Sequence, residues 1–292
     1  MSPTKRATKG NKRGARGSGR EAGRRSDRGL GGEQVEGRQA VRELLIAGRR
    51  RVREVWIAEE HDDHGVLADI AELAAGAGVP VREVSRKKLL GEARTDAPQG
   101  VLAKAAPLAG VGLEELLVGP AGAGSPRSRP GSADTRSAAP FLLAVDGVTD
   151  PGNLGALLRT AECAGVTGVI LPRHRAVHVT PAVTKSAAGA VEYLRMAVVG
   201  GLPAALNTLR ANGVWVVGLD MAGEELFALD LDATEPLCLV FGAEGRGLGR
   251  LVRQRCDVLA SIPLYGQLAS LNVAAAGAVA CYEIVRRRDR NH

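Results

Sequence analysis

From Phe141 onward the chain alternates short, almost unbroken apolar runs with segments of helical spacing, and this alternation constrains its fold more than any other feature. Phe141–Val148, Val166–Leu171, Val214–Leu219, Leu237–Phe241 and Val258–Ile262 lack the in-out polarity of half-exposed strands. Strands buried on both faces read this way, as in parallel sheets. Between and after them, Asn153–Ala164, Pro181–Ala190, Leu202–Asn212 and Asn272–Arg288 predict helices, with a shorter one over Leu248–Arg255. The fold class is therefore α/β, a mainly parallel sheet covered on both sides. Ligands of such sheets collect at the carboxyl ends of strands. The loops after Val148, Phe241 and Ile262 are where chemistry is expected.

The preceding part is organised differently. Val35–Leu45 and His64–Ala77 predict helices, and Val52–Ala58, Val79–Val84 and Gln99–Ala105 predict strands, a small α/β unit over residues 33–106. Gly119–Pro140 has Gly, Pro, Ser or Ala at 17 of 22 positions and no Val, Leu, Ile or aromatic residue. It predicts an inter-domain linker over 107–139, followed by a second domain over 140–292. Residues 1–32 form a Gly/Ser/Arg-rich tail without apolar periodicity, expected to be disordered alone. Residues 1–30 hold ten Lys/Arg against Glu21 and Asp27, while the remaining 262 residues hold 29 basic and 30 acidic. All of the net charge of +7 thus comes from the tail, which suits a polyanion such as RNA. Aromatic residues make up 3% of the chain, too few for a base-stacking platform. No apolar run approaches the ~18 residues of a membrane span, and a cytoplasmic protein is expected. Cys163, Cys238, Cys256 and Cys281 show no CxxC or Cys/His ligand spacing. They predict small core residues, with no disulfide framework and no metal site.

The three loops carry the chemistry. Asp146–Gly165 reads DGVTDPGNLGALLRTAECAG, a Pro-Gly turn into a helix that Asn153 can cap, with Arg159 six residues on. Phe241–Gly249 reads FGAEGRGLG, with one carboxylate, Glu244, among four glycines. It lacks the Gly-Lys-Ser/Thr of a phosphate-binding loop and the strand–GxGxxG–helix context of a dinucleotide fold. Ser261–Arg287 places Ser270, Leu271 and Asn272 before a small-residue helix, where Ala274–Ala278 invite close approach of another segment. Taken singly, each loop also reads as a capped helix or a tight turn.

Together, and in this order, they resemble the three signature motifs of the SpoU/TrmH family of S-adenosylmethionine-dependent RNA ribose 2′-O-methyltransferases. The resemblance extends to Glu36–Gly37–Arg38–Gln39–Ala40–Val41, which is similar to the start of the family's substrate-binding domain. It implies a deep trefoil knot in the second domain, a topology that connection rules alone would exclude. It also implies a homodimer and an RNA substrate. The branch it most resembles methylates a guanosine in 23S ribosomal RNA. S-adenosylmethionine is expected to be gripped by backbone at Gly242, Ile262 and Leu271, with Asn153, Arg159, Glu244, Ser270 and Asn272 as the polar catalytic set. Ala269 departs from the Glu or Ser often found before Ser-Leu-Asn. Transfer RNA or a ribosomal adenosine remains an alternative substrate, and a non-catalytic RNA-binding protein would have no use for all three loops. His174 and His178 are expected to be incidental.

The charge distribution gives a first expected outcome. Removing residues 1–30 should weaken RNA binding and flatten the dependence of log Kd on log salt, leaving the modified nucleotide unchanged. A salt series on full-length and truncated protein checks this, and equal slopes would overturn it.

Overall fold

In a computed structural model, residues 30–59, 65–118, 139–174 and 176–290 are described. Residues 1–29 of the expected tail and most of the expected linker lie outside them. The first domain comprises β1 (Gln34–Glu36), α1 (Arg38–Ala47), β2 (Val52–Ala58), α2 (Val66–Gly76), β3 (Val81–Val84), α3 (Arg86–Glu92) and β4 (Val101–Ala105). Its sheet order is β1-β4-β2-β3, with only β2 and β3 parallel. The segment expected as one helix over Val35–Leu45 is split, because Gly37 at φ 94° turns the chain between β1 and α1. Val35 and Val41 nevertheless share one core. Glu36 is fully buried, and its carboxylate accepts the backbone N–H groups of Arg94 (2.7 Å) and Thr95 (3.0 Å) and the Gln34 amide (2.6 Å). Arg86–Lys87–Lys88, which a turn would also explain, opens α3 under a Ser85 cap.

The second domain contains β5 (Phe141–Asp146), α5 (Pro151–Cys163), β6 (Gly168–Pro172), α6 (Pro181–Ser186), β7 (Met196–Val199), α7 (Leu202–Ala211), β8 (Trp215–Glu225), β9 (Leu237–Gly242), α8 (Arg250–Arg253), β10 (Val258–Ser261) and α9 (Val273–Arg290). Helix α4 (Leu113–Leu117) precedes β5 in the chain. Six strands form an entirely parallel sheet in the order β10-β8-β9-β5-β6-β7. Strand β7, four residues long, was not expected. Alternate residues of β5 serve two cores. Phe141, Leu143 and Val145 pack with α5, α6 and α9, whereas Leu142 and Ala144 pack with α4, α7 and α8. Burial on both faces is what the unbroken apolar runs require.

The Gly/Pro/Ser/Ala-rich segment does not join the domains. Ala105 belongs to the first domain's core and Leu108 already belongs to the second's, so the crossing is made at Ala106–Pro107. Helix α4, inside the expected linker, lies on the second domain: Leu116 fills the space above Gly168, and the Arg195 guanidinium donates to the carbonyls of Glu115 (2.6 Å) and Val118 (3.3 Å). At the far end, Ala139 accepts from Arg288 at 3.5 Å. Both described ends of the segment therefore sit on the same domain. The cysteines divide as well. Cys238 and Cys281 are buried and Cys256 partly so, but Cys163 is exposed at the end of α5, against the expectation of a core residue. Burial pushes the Cys281 thiol up to about 12.

An ion pair with no solvent exposure on either side chain welds the domains. Arg50, just before β2, donates to Glu192 at 3.1 Å and to the carbonyls of Gly32 (2.9 Å) and Ala106 (2.8 Å). Arg49 adds the carbonyls of Glu192 and Leu194, and Tyr193 donates to Glu43 at 2.6 Å. Burial holds the Glu192 carboxyl above its ordinary value although Arg50 and Arg49 pull it down. The folded state therefore binds this proton more tightly than the unfolded chain. The stability contributed by Glu192 is fully present below the ordinary carboxylate pKa and is lost as pH rises through the raised one. Arg50→Met leaves that carboxylate unpaired and should cost about 3–5 kcal/mol. Urea melts should show a larger loss at pH 8 than at pH 5; equal losses would overturn this reading.

Candidate functional site

The carboxyl ends of β5, β9 and β10 and the start of α9 converge. Asp150, not Asn153, caps α5: its Oδ1 accepts the Asn153 N–H at 2.7 Å, with Pro151 preset at the first helical position. The Asn153 side chain is thereby free to point across the sheet. Its Nδ2 donates to Glu244 Oε1 at 2.7 Å, and its Oδ1 accepts from Asn272 Nδ2 at 2.8 Å. Asn272 Nδ2 also reaches Glu244 Oε1 at 3.0 Å. Its own Oδ1 accepts the N–H groups of Ala274 (2.9 Å) and Ala275 (3.3 Å), so Asn272 rather than Ser270 caps α9. A carboxamide can donate from its nitrogen on one side and cap with its oxygen on the other. Three side chains from three motifs, up to 119 positions apart, thus form one closed hydrogen-bonded cluster.

Close packing makes this possible. A Cβ on Gly242 would lie 2.2 Å from the Gly247 carbonyl carbon and 2.5 Å from Leu248 N, so the loop folds back against the end of β9 only because that residue has no side chain. A Cβ on Gly277 would lie 2.2 Å from Leu157 Cδ1, which is how α5 approaches the small-residue face of α9. The segment expected to pack there is α5. Asp146 Oδ2 accepts the Gly249 N–H at 2.7 Å and closes the loop from the β5 side.

Two cavities flank the Ala243–Gly247 loop. One, of about 340 Å³, is lined by Gly242, Ile262, Leu264, Ser270, Leu271 and Val273, among others. This volume lies in the usual range of small-molecule sites. Its walls combine apolar side chains and loop backbone, suited to an aromatic heterocycle, with the charged side chains of Asp220, Glu244, Arg246 and Arg253. The expected cofactor residues Gly242, Ile262 and Leu271 all border it, as do Ser270 and Glu244. The other, of about 630 Å³, lies against Asp146, Thr149, Asp150, Asn153, Glu244 and Arg246. Arg159 joins neither. It is exposed, with no hydrogen bond or ion pair among the described residues. Six positions beyond Asn153, it lies roughly 120° around α5 and about 9 Å along it. Asp220, Arg246 and Arg253 line the smaller cavity without having been expected there. For Asp220 the signal was available, since it directly follows the strand read over Val214–Leu219.

Residues 140–282 match the family described as the SpoU rRNA Methylase family, and residues 34–110 match RNA 2′-O ribose methyltransferase substrate binding. The 23S rRNA (guanosine-2′-O-)-methyltransferase RlmB of Pseudomonas aeruginosa is 41% identical over 88% of this chain and 97% of its own length. That of Shewanella oneidensis is 39% identical over 87% and 97%. Among solved structures, the SpoU methyltransferase AviRb from Streptomyces viridochromogenes in complex with AdoMet is similar with a TM-score of 0.68 and 25% identity, covering 88% of this chain and 90% of that one. The AdoMet-bound rRNA methyltransferase from Sinorhizobium meliloti gives 0.65 and 25%, covering 87% and 86%.

Because β9 and its loop touch through backbone at Gly242, even one methyl there must push Gly247–Leu248 away. Gly242→Ala should lower affinity for S-adenosylmethionine at least about tenfold, measured by calorimetry with thermal melting as the folding control. Unchanged affinity would place the donor elsewhere.

Proposed function

The chain belongs to the SpoU family of RNA 2′-O-ribose methyltransferases, and from that membership we propose that it methylates the 2′-hydroxyl of a guanosine in 23S ribosomal RNA. The cofactor is S-adenosylmethionine. The observation that carries the reading is the closed Asn153–Glu244–Asn272 cluster bordering a cavity of cofactor size. The guanosine assignment rests on relatives about 40% identical over nearly their whole length.

When bound, S-adenosylmethionine supplies an electrophilic methyl group on a cationic sulfur. Backbone at Gly242, Ile262 and Leu271 would hold the donor. Asn153, Glu244 and Asn272, locked by one another, would fix the loops so that little reorganisation accompanies reaction. Ser270 stands at the mouth of the cavity and would orient the nucleotide. Arg159, exposed and uncommitted, would engage a phosphate or the 2′-oxygen. It points off the face that bears Asn153, which favours a site completed by a second copy of the chain. A homodimer is further supported by the apolar surface around the last motif, where Tyr265 is 93% and Leu268 81% exposed, with Leu271, Val279 and Tyr282 nearby. Membership of the family carries the reading of a threaded, knotted carboxyl end, which Arg287 would tie down through the carbonyls of Leu226 (2.8 Å) and Leu229 (2.6 Å). No helix of the described residues is long and apolar enough to cross a membrane. A ribosomal substrate favours the cytoplasm.

The test is a map of ribose methylation in ribosomal RNA from cells with and without the protein. Loss of one guanosine 2′-O-methyl group in 23S rRNA is expected, and an unchanged map would overturn the proposal. For the residues, Arg159→Ala should keep fold and donor affinity yet slow methyl transfer at least ~100-fold. Arg159→Lys should rescue poorly, because a point charge does not reproduce the planar guanidinium fork. Near-normal turnover by the alanine variant would return Arg159 to the surface.

A further inference from the structure

The donor cavity contains a carboxylate that none of the three motifs explains. Strand β10 pairs with β8 in two pieces: Val258 and Leu259 lie beside Val217 and Gly218, whereas Ala260 and Ser261 lie beside Glu224 and Glu225. Adjacent residues of β10 thus bracket residues 219–223 of β8, and the surplus is thrown outward at the carboxyl end of the sheet. The excursion is pinned. A Cβ on Gly223 would lie 2.5 Å from the Leu259 carbonyl, and Ser261 Oγ donates to the carbonyls of Gly223 (3.0 Å) and Glu224 (3.2 Å). At its tip, Asp220 Oδ1 accepts the Ala222 N–H at 3.0 Å. Asp220 Oδ2 stands 3.4 Å from Arg253 Nη1 of α8, and the Asp220 side chain is 13% exposed. Asp220, Met221 and Arg253 all line the cavity that Ile262 and Leu271, in the segment between β10 and α9, also border.

A carboxylate accepts at about four lone-pair sites and donates at none. One N–H and one guanidinium leave both oxygens with capacity toward the cavity. Of the other acceptor-bearing side chains that line the cavity, Glu244 already takes the Asn153 and Asn272 amides on one oxygen and Ser261 is bound to the Gly223 and Glu224 carbonyls. A ribose presents vicinal O–H donors, the complement of an acceptor-only group, and hydrogen bonds to an ionised acceptor are the strong ones. We propose that Asp220 binds the ribose hydroxyls of the methyl donor, with Arg253 keeping its charge paired and its orientation fixed. This rests on the donor reading above. It makes Asp220 a donor-binding residue that selects a ribonucleoside.

Calorimetric titration of the full chain with S-adenosylhomocysteine and its 2′-deoxy and 3′-deoxy analogues tests this without needing a variant. Wild type should bind at least one deoxy analogue about tenfold or more weakly, the loss of one charge-assisted hydrogen bond. Asp220→Asn, folded by thermal melting, should bind the parent compound more weakly and lose most of that discrimination. Equal binding of all three compounds by wild type would overturn the proposal alone. Discrimination retained in full by the variant would do the same. Failure of wild type to bind the parent compound would sink the donor reading and this inference with it.

Discussion

Contact between the backbone at Gly242 and the returning backbone at Gly247–Leu248 is the constraint from which the rest of the site follows. Because β9 ends without a side chain, the loop after it doubles back at once and does not extend over the sheet. Its isolated bridge between Ala243 and Gly247 leaves Glu244 at the tip. One tight turn thereby separates two cavities and delivers a carboxylate to the wall between them. A looser loop would merge the cavities and leave Glu244 without Asn153 and Asn272. The second close approach, Gly277 on Leu157, brings those two asparagines within range of each other by letting α5 and α9 pack side by side.

The resulting cluster is electrostatically economical. Its one formal charge, Glu244, takes two amide N–H donors on the same oxygen, and both amides are themselves anchored, that of Asn153 by accepting from Asn272 and that of Asn272 by capping α9. Such a network is rigid because each member has exhausted much of its capacity within it. What it lacks is a positive group, and Arg159, the cation expected to act with it, faces away. In the single chain the Asn153–Glu244–Asn272 cluster and Arg159 stand apart, whereas Arg246 lines both cavities beside Glu244.

Much of this was legible in the amino-acid sequence, for identifiable reasons. Runs such as Leu237–Phe241 specify strands buried on both faces, and the glycines after them mark backbone contact, so the sheet, its rim and the three loops could be placed. The small residues of α9 announced a close neighbour, though not that it would be α5. Local chemistry was less readable. Asp150 and Asn153 are both good caps; Pro151 at the first helical position marks Asp150 as the one that caps, which leaves the Asn153 amide for Glu244. The helical spacing of Val41, Leu44 and Leu45 marks α1, but Val35, six positions before Val41, does not share its face, and Gly37 is where the chain turns. Asp220 stands directly after the run Val214–Leu219 and so at a readable strand end, but the register shift between β8 and β10 beside it has no local pattern. The Arg50–Glu192 pair links positions 142 apart and has no signature short of the fold itself.

The anchoring of both ends of the Gly/Pro/Ser/Ala-rich segment on the second domain changes what that segment is. Its low-complexity sequence suggests a tether whose reach sets how far the domains can part, yet the domains are joined elsewhere, at Ala106–Pro107 and through a buried ion pair. The chain leaves the described part of the second domain at Val118 and is back on it at Ala139. A protease cutting there would leave two pieces still held by Leu116 in its socket beside Gly168 and by Arg50 on Glu192. The nicked protein would migrate as two bands under denaturing conditions and as one particle under native ones, a split enzyme with its halves already assembled.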